Sequence, residues 1–531
     1  MNIFLKSLVV SCFLYFFYLI PVEAQSTKEA AKYGQFIYYL SKYYVDTINT
    51  EQLVDEAIKW HLSDLDPHST YISKEEVQKM NEPLKGNFEG IGISFNILND
   101  TLFVITPIPG GPSEKVGILS GDRIIKVDGK NIAGIGLTNE DVFSLLRGDK
   151  GTKVRVSVYR RNYPRLQEFT ITRDKIPINS LDAAYIVKNN IGYIKLNRFS
   201  LTTIEEFYKA SIDLIGKGAE NLILDLTGNA GGYLDVAVLL SDQFLDDEKL
   251  IVYTKGMHSS RNEYFASKPG LFENGNVVIL IDEGSASASE IVSGAVQDWD
   301  RGIIIGRRSF GKGLVQRQLE LLDGSMVRLT TAKYYTPSGR LIQKPYGEGN
   351  DTYEREIVER YEHGEFVHKD SIQFPDSLRY ETLLNKRTVF GGGGIMPDIF
   401  IPLDTTYYSD YFRELVRTGV LNQFVLNYVD KNRQKLQKKY PDFSAFNSNY
   451  FVTENMYYEL VEYAEDEGVK RPEDISSEMS EKFTTTLKAY VARDLWTTSE
   501  FYEVINQTDD NFLKAVEVMS DWDNYSRKLL Q

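Results

Sequence analysis

A chain of 531 residues is too long for one typical domain and by length alone predicts roughly three or four. With 42% hydrophobic and 25% charged residues it carries enough apolar material to bury sizeable cores. A formal net charge of −15 leaves no basic excess for a general nucleic-acid surface, so that class is set aside.

The chain starts with Lys6 ahead of an apolar run from Ser7 to Ile20, broken by Pro21 and followed by Val22-Glu23-Ala24. That pattern predicts a secretory signal peptide over residues 1–24, cut near Ala24–Gln25, and an exported protein of the periplasm or cell envelope. The run falls short of the ~20 residues that span a bilayer. A lipid anchor at Cys12 is disfavoured because the apolar run continues past it. Cys12 is the only cysteine, so the mature chain has neither a disulfide nor a catalytic thiol.

Residues 25–85 show helical spacing (Phe36, Tyr39, Leu40, Tyr43; Leu53, Ala57, Trp60), interrupted by a turn at Asp66-Pro67-His68-Ser69. Residues 86–175 switch to short alternating strands with glycine turns and one helical stretch, Asn139 to Leu146, the mark of a separate β-rich module. Residues 176–403 alternate apolar strands (Asn221–Leu226, Val277–Ile281, Ile303–Ile305) with helical stretches (Thr203–Ile215, Tyr233–Phe244, Ala288–Val296), which predicts an α/β core. A polar, charged insertion is expected at 346–390, and a Tyr-rich helical extension over 404–531.

The run Asp282-Glu283-Gly284-Ser285-Ala286-Ser287-Ala288-Ser289-Glu290 follows an apolar strand and opens a helix. A hydroxyl there stands beside unpaired helix N–H groups that favour developing negative charge. In isolation the run reads at least as readily as a set of N-cap serines. A nucleophilic serine needs a base, and none of the five histidines (His61, His68, His258, His363, His368) lies in a triad-like motif. A neutral lysine with a pKa lowered by burial is the alternative. Lys312, flanked by Gly311 and Gly313 after an apolar strand, suits it, although such a lysine alone is ordinarily a solvated turn residue. Gly306 to Lys312 also spells a phosphate-loop pattern. The next residue is Gly313 instead of Ser or Thr, and Val315, Arg317, Leu319 and Leu321 alternate like a strand, so nucleotide binding is set aside.

From about Asp66 to Leu403 the chain resembles the carboxyl-terminal processing, or tail-specific, proteases. The ordered motifs are Asp66-Pro67-His68-Ser69, Gly90-Ile91-Gly92-Ile93, Asn229-Ala230-Gly231-Gly232, Ser285 to Glu290, Gly311-Lys312-Gly313 with Gln316, Tyr335-Thr336-Pro337-Ser338-Gly339 and Gly394-Ile395-Met396-Pro397-Asp398. The resemblance implies a ClpP/crotonase-like α/β protease core with an inserted β-rich PDZ domain, an N-terminal helical segment and a C-terminal helical extension. It implies Ser287 as nucleophile, Lys312 as general base, Gln316 as the residue orienting the base, and an oxyanion hole from the amides of Ala288 and Gly231. No metal or cofactor is called for. Glu290 matches an acidic position of the family and also suits a first-turn carboxylate favoured by the helix dipole. Asp66 and His68 are read as structural turn residues. Two departures stand out: Ala230 replaces the usual proline, and Thr227-Gly228 replaces an Arg-Asn type pair.

Gly90-Ile91-Gly92-Ile93 matches the carboxylate-binding loop of a PDZ domain, where a peptide adds to a sheet edge. Arg147 sits where the family has an arginine that couples PDZ position to the protease site. The expected activity is endoproteolysis of proteins with exposed C-terminal tails, and the expected partners are those substrates. A homodimer or adaptor contact through the C-terminal helices is a further expectation. The rival readings are a catalytically silent PDZ adaptor or chaperone and a small-ester hydrolase.

Overall fold

The computed structural model describes residues 26–528, apart from 162, 189, 268, 348, 406–408 and 472–479. The signal-peptide reading, its cleavage point and Cys12 therefore lie outside the described residues.

The core is a six-stranded sheet ordered Leu181–Lys188, Ile191–Leu196, Asn221–Asp225, Val277–Ile281, Ile303–Gly306 and Ile399–Phe400. Its first pair is antiparallel and the rest are parallel. Val277–Ile281 and Ile303–Gly306 are buried along their whole length, as near-continuous Val, Ile and Leu runs require when both faces of a parallel sheet are covered. On one face lie the helices Thr203–Gly216, Leu234–Ser241 and Ala288–Asp298, whose Phe207, Leu240, Ile291 and Val292 join the sheet in one apolar cluster. The other face is covered by the C-terminal helix Asp510–Ser520, through Phe512, Ala515, Val518 and Met519 against Ile223, Val278, Leu280 and Ile303.

The extension expected from residue 404 onward thus divides in two. Helices between Asp410 and Ile505 build an apolar cluster of their own around Val425, Phe446, Tyr457 and Leu487. The final helices belong physically to the six-stranded core.

A second sheet is built on the long strand Met326–Tyr335, which pairs with Leu314–Glu320, Leu250–Lys255 and Thr70–Ile72. The short strand Thr70–Ile72 was not foreseen, because three residues carry no readable period. It brings the Asp66–Ser69 turn onto the core.

The β-rich module comprises strands Ile93–Ile97, Leu102–Pro107, Arg123–Val127, Lys153–Tyr159 and Gln167–Thr172, with helix Asn139–Leu146 and a separate apolar core. Its entry and exit strands, Asn87–Gly90 and Asp174–Pro177, pair antiparallel, so the module stands on a two-stranded stalk. It is also braced on two flanks. Arg147 pairs with Glu82 of helix Lys74–Lys85 at 2.6 Å. Arg123 pairs with Asp430 of helix Val420–Lys439 at 3.0 Å, beside an apolar contact of Leu98 and Phe103 with Leu426.

Candidate active site

Ser287 begins the helix Ala288–Asp298 with φ 56° and ψ −110°, a conformation that non-glycine residues rarely adopt. The run of small residues lets the turn approach its neighbours, and hydrogen bonds hold it there. Ser285 Oγ donates to the Leu226 carbonyl at 2.8 Å, and the Asn229 carbonyl accepts the Ala286 amide at 3.0 Å and the Ser289 hydroxyl at 2.8 Å. Two of the three candidate serines are therefore committed to backbone groups. Ser287 is half-buried, and its hydroxyl donates to no acceptor among the described residues.

The loop Asn229–Gly232 lies against this turn. Gly231 has φ +95°, and a Cβ there would come within 2.8 Å of the Ser287 Cβ and 2.7 Å of the Ala286 carbonyl oxygen, so only glycine fits. The Gly231 amide, the expected second oxyanion donor, is directed at Asn229 Oδ1 at 2.9 Å. The amides of Ala288 and Gly232 donate to no acceptor among the described residues.

Lys312 lies in the loop between Ile303–Gly306 and Leu314–Glu320. The segment after Lys312 is a strand, which removes the helix a phosphate loop needs. What joins Lys312 to Ser287 is Glu290, buried in the first turn of the helix. Its Oε2 accepts the Ser287 amide at 2.8 Å and the Lys312 amide at 2.9 Å, and its Oε1 accepts the Gly311 amide at 2.7 Å and the Ser309 hydroxyl at 2.5 Å. Burial pushes this carboxyl up to about 7, against those four donors, which favour the charged form. Tyr334 adds a second link, its hydroxyl lying 3.1 Å from the Ser287 carbonyl and 2.5 Å from the Lys312 carbonyl. The helix dipole alone had suggested a lesser part for Glu290, and nothing in the sequence singled out Tyr334.

Burial lowers the Lys312 pKa, and the positive charge of Arg328 lowers it further, while Glu290 and Asp66 act in the opposite direction. His68 shares this neighbourhood. Burial first, and then the charge on Lys312, brings its pKa down to about 4, so the ring is neutral at ordinary pH. One ring nitrogen meets the Tyr353 hydroxyl at 2.8 Å.

Tyr353 belongs to the helix Asn350–Glu362, inside the stretch read as a polar insertion. That helix props the Lys312 loop. Buried Lys344 reaches the Tyr353 carbonyl and Glu356, its ammonium 4.2 Å from the ring centres of both Phe310 and Tyr353. Arg360 donates to the carbonyls of Ser309 and Arg308. Gln316, on the next strand, donates its side-chain amide to Thr330 Oγ1 at 3.3 Å.

Gly90, Ile91, Gly92 and Ile93 lie apart from this cluster, in the β-rich module. Strand Ile93–Ile97 is an edge strand, and the amides of Ile91 and Gly92 donate to no acceptor among the described residues. Phe95 of that strand and Phe143 of helix Asn139–Leu146 meet edge to face, with ring centres 5.7 Å apart. The Arg147 guanidinium lies between Phe88 and Phe143, at 4.7 and 4.6 Å from their ring centres, and its ion pair is with Glu82.

The family model described as peptidase family S41 matches residues 190–350, a PDZ domain model matches 103–160, and a family of unknown function matches 411–497. The chain is 37% identical over 326 residues to the carboxy-terminal-processing protease of Bartonella bacilliformis, covering 60% of this chain and 74% of that one. It is 39% identical over 305 residues to the carboxy-terminal processing protease CtpA of Bacillus subtilis, covering 57% and 64%. Among solved structures, the photosystem II D1 C-terminal processing protease is similar at 30% identity and TM-score 0.35, over 59% of this chain and 83% of that one. The peptidase match over the α/β core, the PDZ match and these relatives together define a serine-type peptidase. The chain belongs to peptidase family S41, among the carboxy-terminal processing proteases.

Proposed function

We propose that the protein is an exported endopeptidase that cleaves proteins near their C-terminal tails with a Ser287–Lys312 dyad, its PDZ domain selecting the tail. The observation that carries this reading is the Glu290 carboxylate, one oxygen of which accepts the backbone amides of both Ser287 and Lys312. A residue that anchors both backbones fixes the nucleophile relative to its base, and such positioning lowers the barrier.

In this scheme Ser287 Oγ attacks the scissile carbonyl carbon while the neutral Lys312 amine takes the hydroxyl proton. The carbonyl oxygen becomes an oxyanion held by the Ala288 amide and a glycine amide of the 229–232 loop, with Gly232 the one not engaged by Asn229. The C–N bond then breaks as Lys312 returns its proton to the leaving amine. Water attacks the acyl ester, passing its proton to Lys312, and the second collapse frees the acid and restores Ser287. Gln316 orients the lysine.

The tail is bound by addition to the Ile93–Ile97 edge, with its carboxylate at the Gly90–Ile93 amides. Residues 1–24 direct export. A homodimer or adaptor contact would use the helices between Asp410 and Ile505.

The test is hydrolysis of a peptide with a free C-terminal carboxylate by Ser287→Ala and Lys312→Ala. Each is expected to lose roughly 10⁴-fold or more in kcat at unchanged melting temperature. Wild-type turnover in Ser287→Ala would sink the dyad. N-terminal sequencing of the protein recovered from the cell envelope is expected to begin at Gln25, and an intact Met1 start there would remove the export reading.

A further inference from the structure

The Asp66-Pro67-His68-Ser69 turn, read from sequence as structural, reaches the catalytic strand pair. Asp66 is buried, and every partner it has among the described residues is a donor. Oδ1 accepts the amides of His68 and Ser69, both at 2.9 Å, and the Thr330 hydroxyl at 3.0 Å, while Oδ2 accepts the Ser69 hydroxyl at 2.6 Å. The Ser69 hydroxyl oxygen in turn accepts the Thr330 amide at 3.1 Å, locking the turn to the strand.

Thr330 stands directly across from Gln316 in the antiparallel pair, at a register irregularity between Val315 and Gln316. Irregularities of this kind re-aim a side chain beside an active site.

A hydroxyl has one proton, and that of Thr330 is directed to Asp66. Toward Gln316 the same oxygen can then only accept, so the end of the Gln316 amide that faces it must be the amino group, at 3.3 Å. We propose that Asp66, acting through the Thr330 hydroxyl, fixes the direction of the Gln316 side-chain amide so that its carbonyl oxygen is the end offered to Lys312. Lys312 carries only donors when charged and keeps two N–H donors when neutral, so an acceptor is what orients its lone pair toward Ser287. Asp66 and Thr330 are positioning residues, three and two hydrogen bonds removed from Lys312. The charged or titratable groups facing Lys312 are Arg328, Glu290, Asp66 and His68.

The proposal rests on Lys312 being the general base. Peptide hydrolysis by the full chain is measured for Thr330→Val and Thr330→Ser, each alone and in the Gln316→Ala background. Thr330→Val keeps the backbone bond to Ser69 and removes only the relay. It is expected to lower kcat about 10- to 100-fold with KM changed less than about threefold, Thr330→Ser is expected to restore most of that, and Thr330→Val should add nothing once Gln316 is alanine. Asp66→Asn is expected to lower kcat likewise. It should also move the acid limb of the kcat/KM profile to lower pH, because a neutral amide in place of the carboxylate no longer favours the charged lysine. Wild-type kcat in Thr330→Val, or a loss that adds fully to that of Gln316→Ala, overturns the relay while Lys312→Ala stays inactive. Substantial activity in Lys312→Ala overturns the general-base reading itself. Should Asp66→Asn fail to fold, the valine and serine variants carry the decision.

Discussion

Ser287 occupies a left-handed backbone position that costs on the order of 1–3 kcal/mol, and Glu290 and Asn229 supply the hydrogen bonds that hold it there. The same Glu290 accepts the amides on the Lys312 loop, so the strain at Ser287 and the placement of Lys312 have a common anchor. The electrostatics of Lys312 follow from opposing neighbours. Burial and Arg328 lower its pKa, and Glu290 and Asp66 raise it. A lysine that acts as a base must be neutral, so activity rises as pH rises through its pKa. Arg328→Met removes one of the influences that depress this value. The acid limb of the kcat/KM profile is therefore expected to move to higher pH, opposite to the shift argued for Asp66→Asn. A profile identical to wild type would mean that the charge on residue 328 is not felt at the titrating group.

Among the elements, the last helices have a role that their sequence position hides. The helix Asp510–Ser520 seals the face of the central sheet opposite the helix Ala288–Asp298, with Val518 fully buried. Placing a carboxylate there leaves an uncompensated charge between apolar layers. Val518→Asp is expected to lose at least about 3 kcal/mol of stability, read as a fall in the midpoint of urea unfolding. A midpoint within about 0.5 kcal/mol of wild type would show that the helix does not close the core. Elements with strong periods were legible in the chain itself: Val277–Ile281, the helix Asn139–Leu146 and the helix opening at Ala288 stand where the apolar spacing puts them. The covering of the sheet by residues 510–520 was not legible, since an amphipathic helix does not state which face it meets. Strand Thr70–Ile72 was too short to show a period. At the site, ordered motifs selected Ser287 and Lys312. The contacts made by Glu290, Tyr334 and Thr330 depend on which loops fold against each other, and residue spacing does not encode that.

On the scale of the whole molecule, the PDZ domain is a separate core standing on a stalk and tied at two further points, Glu82 on one flank and Leu426 with Asp430 on the other. None of these contacts supplies a residue to the Ser287–Lys312 cluster, so the proposed tail selection and bond cleavage are expected to be separable. Gly90 and Asp174 are cross-strand partners in the stalk. Residues 91–173 can accordingly be replaced by a two-residue Asn-Gly turn, which suits a hairpin of this kind. The excised protein is expected to hydrolyse short unstructured peptides within about tenfold of the wild-type kcat, since its catalytic helix, loops and sheet are all retained. It should bind free-acid and C-terminally amidated forms of one peptide equally, whereas the full chain should prefer the free acid by about tenfold or more, roughly 1.4 kcal/mol. A preference that survives excision would place carboxylate recognition in the protease core. A total loss of short-peptide hydrolysis in a folded variant would mean that the braced PDZ domain completes the active site itself.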